Sequence, residues 1–315
     1  MKKIIFRFGL VIAIALIGFG LQTAHNQTLN RPVTSHASQA DLATNRAVHT
    51  TKLKQVPTLF VHGLGGRYLS ETPMVKPSVR AGIATWGLLV SVKANGHIAI
   101  KGHLTHKKNP VILLRFENNL AGEVQDAEWL HDVLAVLKAK YGVTKYNMVS
   151  HSMGAYAAVY YAERLSHTSD QPTLNKLVTI AGPFNGIMHL RAKRLLVLSN
   201  KLLKLVDDKP NTNRLLRNDR PATVHPEYRA LWTARNQFPA TAQVLNIYGN
   251  IGDGSNSDTC VTTVSARSLR ALIGHRAKRY TAKELHGLDA SHFQVHNTNR
   301  RVQQMLAWYL WHAEL

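Results

Sequence analysis

The chain has 315 residues, of which 39 are Lys or Arg and 18 are Asp or Glu, so its formal net charge is +21 with histidine neutral. Hydrophobic residues make up 45% of it, as in ordinary globular proteins, which excludes disorder along the whole chain. A single cysteine excludes an intramolecular disulfide framework, a zinc ribbon and a cysteine-ligated iron–sulfur cluster. The positive charge indicates an anionic partner, such as nucleic acid, a membrane surface or an anionic polymer.

The N-terminus has the pattern of an export signal. Three basic residues within the first seven positions precede 14 uncharged, mostly apolar residues at 8–21. This run is shorter than the roughly 20 residues of a membrane-spanning helix and has the length of the apolar region of a secretory signal. We therefore predict a signal peptide or uncleaved N-terminal anchor over residues 1–24, a flexible leader over residues 25–54, and a secreted or cell-surface location.

From about residue 56, short apolar runs alternate with amphipathic segments. The predicted strands cover residues 57–61, 88–92, 97–100, 110–116, 147–149, 177–181, 243–248 and 279–285, with a hairpin turn at Asn95-Gly96 between the second and third. The predicted amphipathic helices cover residues 123–140, 154–165 and 298–311. Strands that alternate with helices predict an α/β fold with a mostly parallel sheet covered by helices on both faces.

No strand is predicted between residues 186 and 237, where we expect a helical cap over about residues 187–237. Within it, residues 190–206 repeat Arg and Lys at helical spacing among leucines. Such a basic amphipathic helix is either a lid that meets lipid or an anionic polymer, or a cap helix packed on the sheet with a solvated charged face. The sequence has no recognised nucleic-acid motif and no basic strand interleaved with aromatic residues, so a nucleic-acid partner is not expected.

A predicted strand, the pentad Ser150-His151-Ser152-Met153-Gly154 and a predicted helix follow one another near the middle of the chain. This order resembles the nucleophile elbow of α/β-hydrolases, in which a strained turn holds the serine at the top of the sheet. Ser150 stands where the elbow usually has glycine, a small departure because the position requires a small side chain. The alternative is an ordinary helix N-terminus with Ser150 or Ser152 as its N-cap.

The loop His62-Gly63-Leu64-Gly65-Gly66 follows the first predicted strand and resembles the oxyanion loop of lipases and esterases. Acyl transfer places negative charge on the carbonyl oxygen, so two preorganised N–H donors have to stabilise it. The resemblance implies that these donors are the backbone N–H groups of Leu64 and Met153.

The triad of this fold runs in the order serine, acid, histidine. Two carboxylates compete for the acid: Asp258 stands in an Asp-X-X-Val arrangement, while Asp253 lies earlier in a glycine-rich loop. We favour Asp258 and interpret Asp253 as a turn-forming residue. For the base we favour His292, on the loop after the last predicted strand, with His296 as the fallback.

Over residues 57–311 the chain resembles the secreted or cell-surface α/β-hydrolases of unknown function found in low-GC Gram-positive bacteria. The matching stretches are residues 62–66, 95–96, 150–154, 183–186, 245–249, 257–258, 291–292 and 296–297. The family has glycine at the position of Ser150 and usually at that of Thr259. The resemblance implies one α/β-hydrolase domain over residues 55–315 and a serine-hydrolase triad, but no particular substrate.

The sequence thus predicts an exported serine hydrolase that cleaves acyl esters of small molecules or lipids, without a metal or organic cofactor. Asp258 would orient His292, which would take the proton of Ser152 as its oxygen attacks the acyl carbonyl. Two alternatives stay open: a non-catalytic wall-binding protein on a hydrolase scaffold, and a serine amidase, peptidase or acyltransferase. In each case the positive charge fits an anionic cell-wall polymer or a membrane surface better than nucleic acid.

Overall fold

The computed structural model describes residues 55–104, 107–188 and 208–315. The predicted signal segment, the leader and the basic helix at 190–206 lie outside the described residues. Within the described ranges, no helix is both long enough and apolar enough to cross a membrane.

Eight strands of the described residues form one sheet in the order β3-β2-β4-β1-β5-β6-β7-β8. Their bounds are β1 Thr58–Val61, β2 Thr85–Val92, β3 Ile98–Gly102, β4 Pro110–Phe116, β5 Lys145–His151, β6 Thr173–Ile180, β7 Gln243–Asn250 and β8 Arg279–His286. Every neighbouring pair is parallel except β2 with β3, which forms the hairpin at Asn95-Gly96. The prediction of a mostly parallel α/β sheet is confirmed.

The helices of the described residues are α1 Thr72–Arg80, α2 Glu123–Tyr141, α3 Met153–Arg164, α4 Pro226–Ala234, α5 Thr263–Arg267, α6 Leu269–Ile273, α7 Gln294–Asn297 and α8 Arg300–Trp311. Helices α2 and α3 lie within a residue of their predicted bounds. The closing helix begins two residues later than predicted, because Asn299 caps it by accepting the N–H of Val302 at 3.1 Å. His296 therefore lies in the separate short helix α7.

Helix α1 was not predicted, because it contains two prolines. Pro73 stands in the first turn, where a missing N–H costs nothing. Pro77 stands inside the helix and leaves the carbonyl of Pro73 without its usual i+4 donor. The side-chain amide of Gln303, on α8, donates to that carbonyl at 3.2 Å. The defect in α1 is thus satisfied by a neighbouring helix, which no local pattern could indicate.

Apolar residues fill both faces of the sheet, because successive side chains of a strand point to opposite sides. In β1, Leu59 and Val61 belong to the core cluster that includes α2 and α3, whereas Phe60 belongs to the cluster that includes α1 and α8. Burial on both faces is why these strands appear in the sequence as continuous apolar runs. Because these strands run parallel, their carboxyl ends lie at the same edge of the sheet, where the loops after β1, β5, β7 and β8 meet.

The cap predicted over about residues 187–237 is only partly described. Its described part contains α4 and a 3-10 turn at Arg235–Gln237, and otherwise only isolated bridges. The Tyr156 hydroxyl of α3 donates to the carbonyl of Glu227 at 2.7 Å, which anchors α4 on the core. That the cap acts as a moving lid stays a prediction.

Candidate active site

Ser152 occupies the sharp turn between β5 and α3. Its backbone has φ +54° and ψ −127°, a conformation that is strained for any residue with a side chain. The turn is possible because glycines bring the backbones together: a Cβ on Gly154 would lie 2.4 Å from the carbonyl oxygen of His62, and one on Gly63 would lie 2.7 Å from the Cβ of Ser152. The pentad thus forms a nucleophile-elbow geometry.

The alternative interpretation of Ser152 as a helix cap does not fit this geometry. Ser152 stands at the N-cap position of α3, but its side chain makes no capping hydrogen bond. Ser150 is buried, and its hydroxyl donates to the carbonyl of Val178 at 3.3 Å. A serine therefore fits at this position of the elbow, because its one polar atom has an acceptor.

The loops after β7 and β8 bring Asp258 and His292 to Ser152. His292 Nε2 lies 2.9 Å from the Oγ of Ser152, and its Nδ1 lies 2.9 Å from the Oδ2 of Asp258. Since a carboxylate oxygen only accepts, Nδ1 carries the proton and Nε2 is left to accept the serine hydroxyl. Asp258 and His292 are 1% and 6% exposed, which keeps bulk water from competing for these hydrogen bonds.

Backbone groups hold the carboxylate of Asp258 in place. Its Oδ1 accepts the N–H groups of Cys260 at 2.9 Å and Val261 at 2.7 Å, which closes a turn over the Asp-X-X-Val segment. The backbone N–H of His292 donates to the carbonyl of Asp258 at 2.6 Å, so the two loops are joined directly. Thr259 within this turn has φ +89°, a value that favours glycine, the residue that the resemblance leads us to expect there.

The two competing residues lie elsewhere. Asp253 is exposed, and its carboxylate accepts the N–H of Ser255 at 2.9 Å and the hydroxyl of Ser255 at 2.5 Å, so it orders its own loop. His296 contacts Glu71, with Nδ1 3.6 Å from Oε1.

The oxyanion loop is tied to the loop after β4. The N–H of Gly65 donates to the carbonyl of Asn119 at 2.9 Å, and the side-chain amide of Asn119 donates to the carbonyl of Gly66 at 2.9 Å. Among the residues that the structure describes, neither the N–H of Leu64 nor that of Met153 has a hydrogen-bond acceptor. That these two N–H groups bind a substrate oxygen stays a prediction.

His62 has a role that the sequence analysis missed. The backbone N–H of Phe116 donates to its Nε2 at 3.0 Å, and its Nδ1 donates to the carbonyl of Gly63 at 2.8 Å. Burial lowers the pKa of His62, which agrees with a neutral ring that accepts at Nε2. The imidazole thus clamps the start of the oxyanion loop to β4, a contact between positions 54 residues apart that sequence pattern does not reveal.

A small apolar wall lies next to the nucleophile. The buried side chain of Met153 packs against Leu64, Leu120 and Ile187, which are partly buried. Two of these residues carry the candidate oxyanion donors, so the wall adjoins the position of a substrate carbonyl.

Glu71, His151 and His296 form a second group of polar side chains, here called the Glu71 cluster. One donor atom from each lies within 4.8 Å of the others. Tetrahedral Zn²⁺, with bonds of about 2.0–2.1 Å, requires donors only about 3.3 Å apart and aimed at one point. The two imidazoles are stacked instead, with centroids 3.7 Å apart and planes 17° from parallel, so their nitrogen lone pairs lie in two nearly parallel planes. This arrangement fits packing of one ring on the other better than a metal centre.

Comparisons with known proteins agree with this architecture. The chain matches the model of the family described as alpha/beta hydrolase of unknown function (DUF915) over residues 45–313. A Listeria innocua structure, the product of gene lin2722, is 26% identical, with a TM-score of 0.69 over 83% of this chain and 96% of that one. A Lactobacillus plantarum WCFS1 protein proposed to be a cell surface hydrolase is 17% identical, with a TM-score of 0.63 over 84% and 94%.

Similarity also extends to the Bacillus licheniformis lipase BlEst2, with 16% identity, 83% and 95% coverage and a TM-score of 0.44. No curated protein matches the chain at a significant level. Since the family model spans most of the sequence, the chain belongs to this family of α/β hydrolases of unknown function.

Proposed function

We propose that this protein is an exported serine hydrolase that cleaves carboxylic esters through Ser152, His292 and Asp258. The observation that carries the proposal is the continuous hydrogen-bonded line from the Ser152 hydroxyl through both ring nitrogens of His292 to the carboxylate of Asp258, with 2.9 Å at each step. Nucleophile, base and orienting acid have the separations that nucleophilic catalysis requires.

The chemistry follows from these positions. The Ser152 oxygen attacks the acyl carbonyl while His292 Nε2 takes its proton, and Asp258 stabilises the imidazolium that forms. The N–H groups of Leu64 and Met153 stabilise the negative charge on the carbonyl oxygen. His292 then gives the proton to the leaving alcohol, and a water molecule, activated by the same imidazole, releases the acid and restores Ser152.

The surroundings of Ser152 favour an ester with an apolar acyl or alcohol group. The wall of Leu64, Leu120, Met153 and Ile187 offers such a group an apolar surface beside the carbonyl. The net charge of +21 favours approach to an anionic polymer or membrane surface, and the signal-like pattern of residues 1–24 supports a location outside the cytoplasm.

The test is the turnover of short p-nitrophenyl esters and matched anilides by the full chain, with Ser152→Ala as the inactive variant. Ser150→Ala is the matched control, because it removes a hydroxyl from the same pentad without touching the triad. We expect ester turnover in the wild type and in Ser150→Ala, and none above background in Ser152→Ala.

Labelling with a fluorophosphonate probe provides an independent measurement. We expect one label per chain, at Ser152, in the wild type. A wild type without label or ester turnover would favour the non-catalytic wall-binding protein, and faster cleavage of the anilide would favour an amidase. Equal ester turnover in Ser152→Ala and the wild type would refute the assignment of the nucleophile.

A further inference from the structure

The Glu71 cluster lies next to the proposed catalytic histidine, His292, and has no part in the mechanism above. His151 immediately precedes Ser152 in the chain, and His296 follows His292 by four residues. The ring of His151 lies between those of the other two histidines: its centroid is 3.7 Å from that of His296 and 4.8 Å from that of His292. The cluster therefore touches the loop that carries the base.

Glu71 is the acidic member of the cluster. It is 1% exposed, and among the described residues neither of its carboxylate oxygens has a hydrogen-bond donor. The Nδ1 of His296 lies 3.6 Å from Oε1 and has no hydrogen-bond partner among the same residues. A buried polar group without a partner is costly, and the imidazole of His296 offers this carboxyl group a polar neighbour.

His151 connects the cluster to the base. Its Nε2 lies 3.1 Å from the backbone carbonyl oxygen of His292. Burial, together with the imidazoles of His296 and His292, holds the pKa of His151 well below its ordinary value, so the ring is neutral near pH 7. Because a carbonyl oxygen only accepts, the single proton of the ring lies on Nε2, and His151 donates to His292.

We propose that His151 is a positioning residue for the base: its Nε2–H fixes the backbone of His292, while stacking on His296 over Glu71 fixes the ring of His151. This inference rests on the proposed function. With it, the backbone of His292 is held on both sides, through its N–H by the carbonyl of Asp258 and through its carbonyl by His151. Between these two anchors the imidazole meets Ser152 and Asp258 at once.

For catalysis, what matters is the distance between the His292 imidazole and Ser152. Losing one anchor lets the loop shift and leaves a buried carbonyl without a donor, and a displacement of about 1 Å in a reacting group can cost about 10²-fold in rate. Since His151 is placed to contact the backbone of His292 and not the substrate, the loss falls on kcat rather than on KM.

Three substitutions separate the N–H donor from the ring. The amide nitrogen of glutamine has about the reach of Nε2, whereas that of asparagine corresponds to Nδ1, and phenylalanine keeps a flat ring without any donor. We expect His151→Gln to keep kcat within about threefold of the wild type, and His151→Asn and His151→Phe to lower kcat by about 10- to 100-fold with KM unchanged. His167→Asn, on an exposed histidine, is the matched control.

The melting temperature of each variant distinguishes positioning from mere packing. If His151 only filled space, activity would follow stability, and the phenylalanine variant, which can still stack, would be the most active. Wild-type kcat in His151→Phe, or equal kcat in the glutamine and asparagine variants, would overturn the proposal. Should His151→Phe fail to fold, the comparison of glutamine with asparagine decides alone.

The rate of Ser152 labelling by the fluorophosphonate should rank the variants in the same order, because it depends on the same base. The two proposals fail separately. Activity that survives in Ser152→Ala refutes the proposed function, whereas an inactive Ser152→Ala together with a fully active His151→Phe refutes only the role of His151.

Discussion

Replacing Asp258 by asparagine exchanges one carboxylate oxygen for an NH₂ group and leaves the volume of the side chain unchanged. In the wild type, Oδ1 accepts two backbone N–H groups, from Cys260 at 2.9 Å and Val261 at 2.7 Å, and Oδ2 accepts the Nδ1–H of His292 at 2.9 Å. An asparagine cannot place its NH₂ group against two backbone donors. Its carbonyl oxygen therefore occupies the Oδ1 position, and its NH₂ group faces His292.

This orientation reverses the tautomer of the base. His292 Nδ1 now has to accept a hydrogen bond, so the proton moves to Nε2, the nitrogen that lies 2.9 Å from the Ser152 hydroxyl. A protonated Nε2 cannot take the serine proton. The loss corresponds to the fall of about 10⁴-fold in kcat that a wrong tautomer causes in serine hydrolases, or roughly 5–6 kcal/mol of activation free energy.

The assay is steady-state hydrolysis of a p-nitrophenyl ester at pH 7–8, with kcat and KM determined separately. We expect KM within about threefold of the wild type, because Asp258 does not line the apolar wall, and only a small change in melting temperature. Asp253→Asn is the matched control, since that carboxylate is exposed and only orders its own turn. A kcat above one tenth of the wild-type value in Asp258→Asn, or an equal loss in Asp253→Asn, would refute the reasoning.

Two further predictions concern stability. Thr259→Gly removes a β-branched residue from a backbone with φ +89°, so it should raise the free energy of unfolding by about 0.5–1 kcal/mol in urea titration. The control is Thr262→Gly, at an ordinary φ of −70°, which should lower this free energy because the Thr262 side chain accepts the N–H of Ser265 and donates to Asp208. A Thr259→Gly variant less stable than the wild type would contradict the prediction. Burial raises the pKa of Glu163 to about 9, so the fold holds this proton more tightly than the unfolded chain, and stability should fall as the pH rises from about 4.5 to 9. Glu163→Gln should flatten that slope and raise the melting temperature at pH 8, and an unchanged slope would rule out this origin.

The sequence by itself determined the central sheet and the turn that carries Ser152. Strands buried on both faces are continuous apolar runs, so β4 could be predicted to the residue, and a turn as tight as the elbow requires small residues within one pentad. Helix α1 was not predicted because the contact that permits it is not local. Pro77 leaves the carbonyl of Pro73 without its helical donor, and the side chain of Gln303, 226 positions after Pro77, donates to that carbonyl instead.

For the candidate site, local patterns selected Asp258 over Asp253 and His292 over His296, but only distances in the fold show which side chains meet. The Asp-X-X-Val turn and the family motifs are short and therefore visible in the sequence. The clamp of His62 on Phe116 and the Glu71 cluster join residues that are far apart in the chain. Sequence patterns describe residues that are neighbours along the chain, whereas burial and ring stacking depend on residues that become neighbours only in the fold. The tertiary structure alone therefore decided which side chains pack against His292.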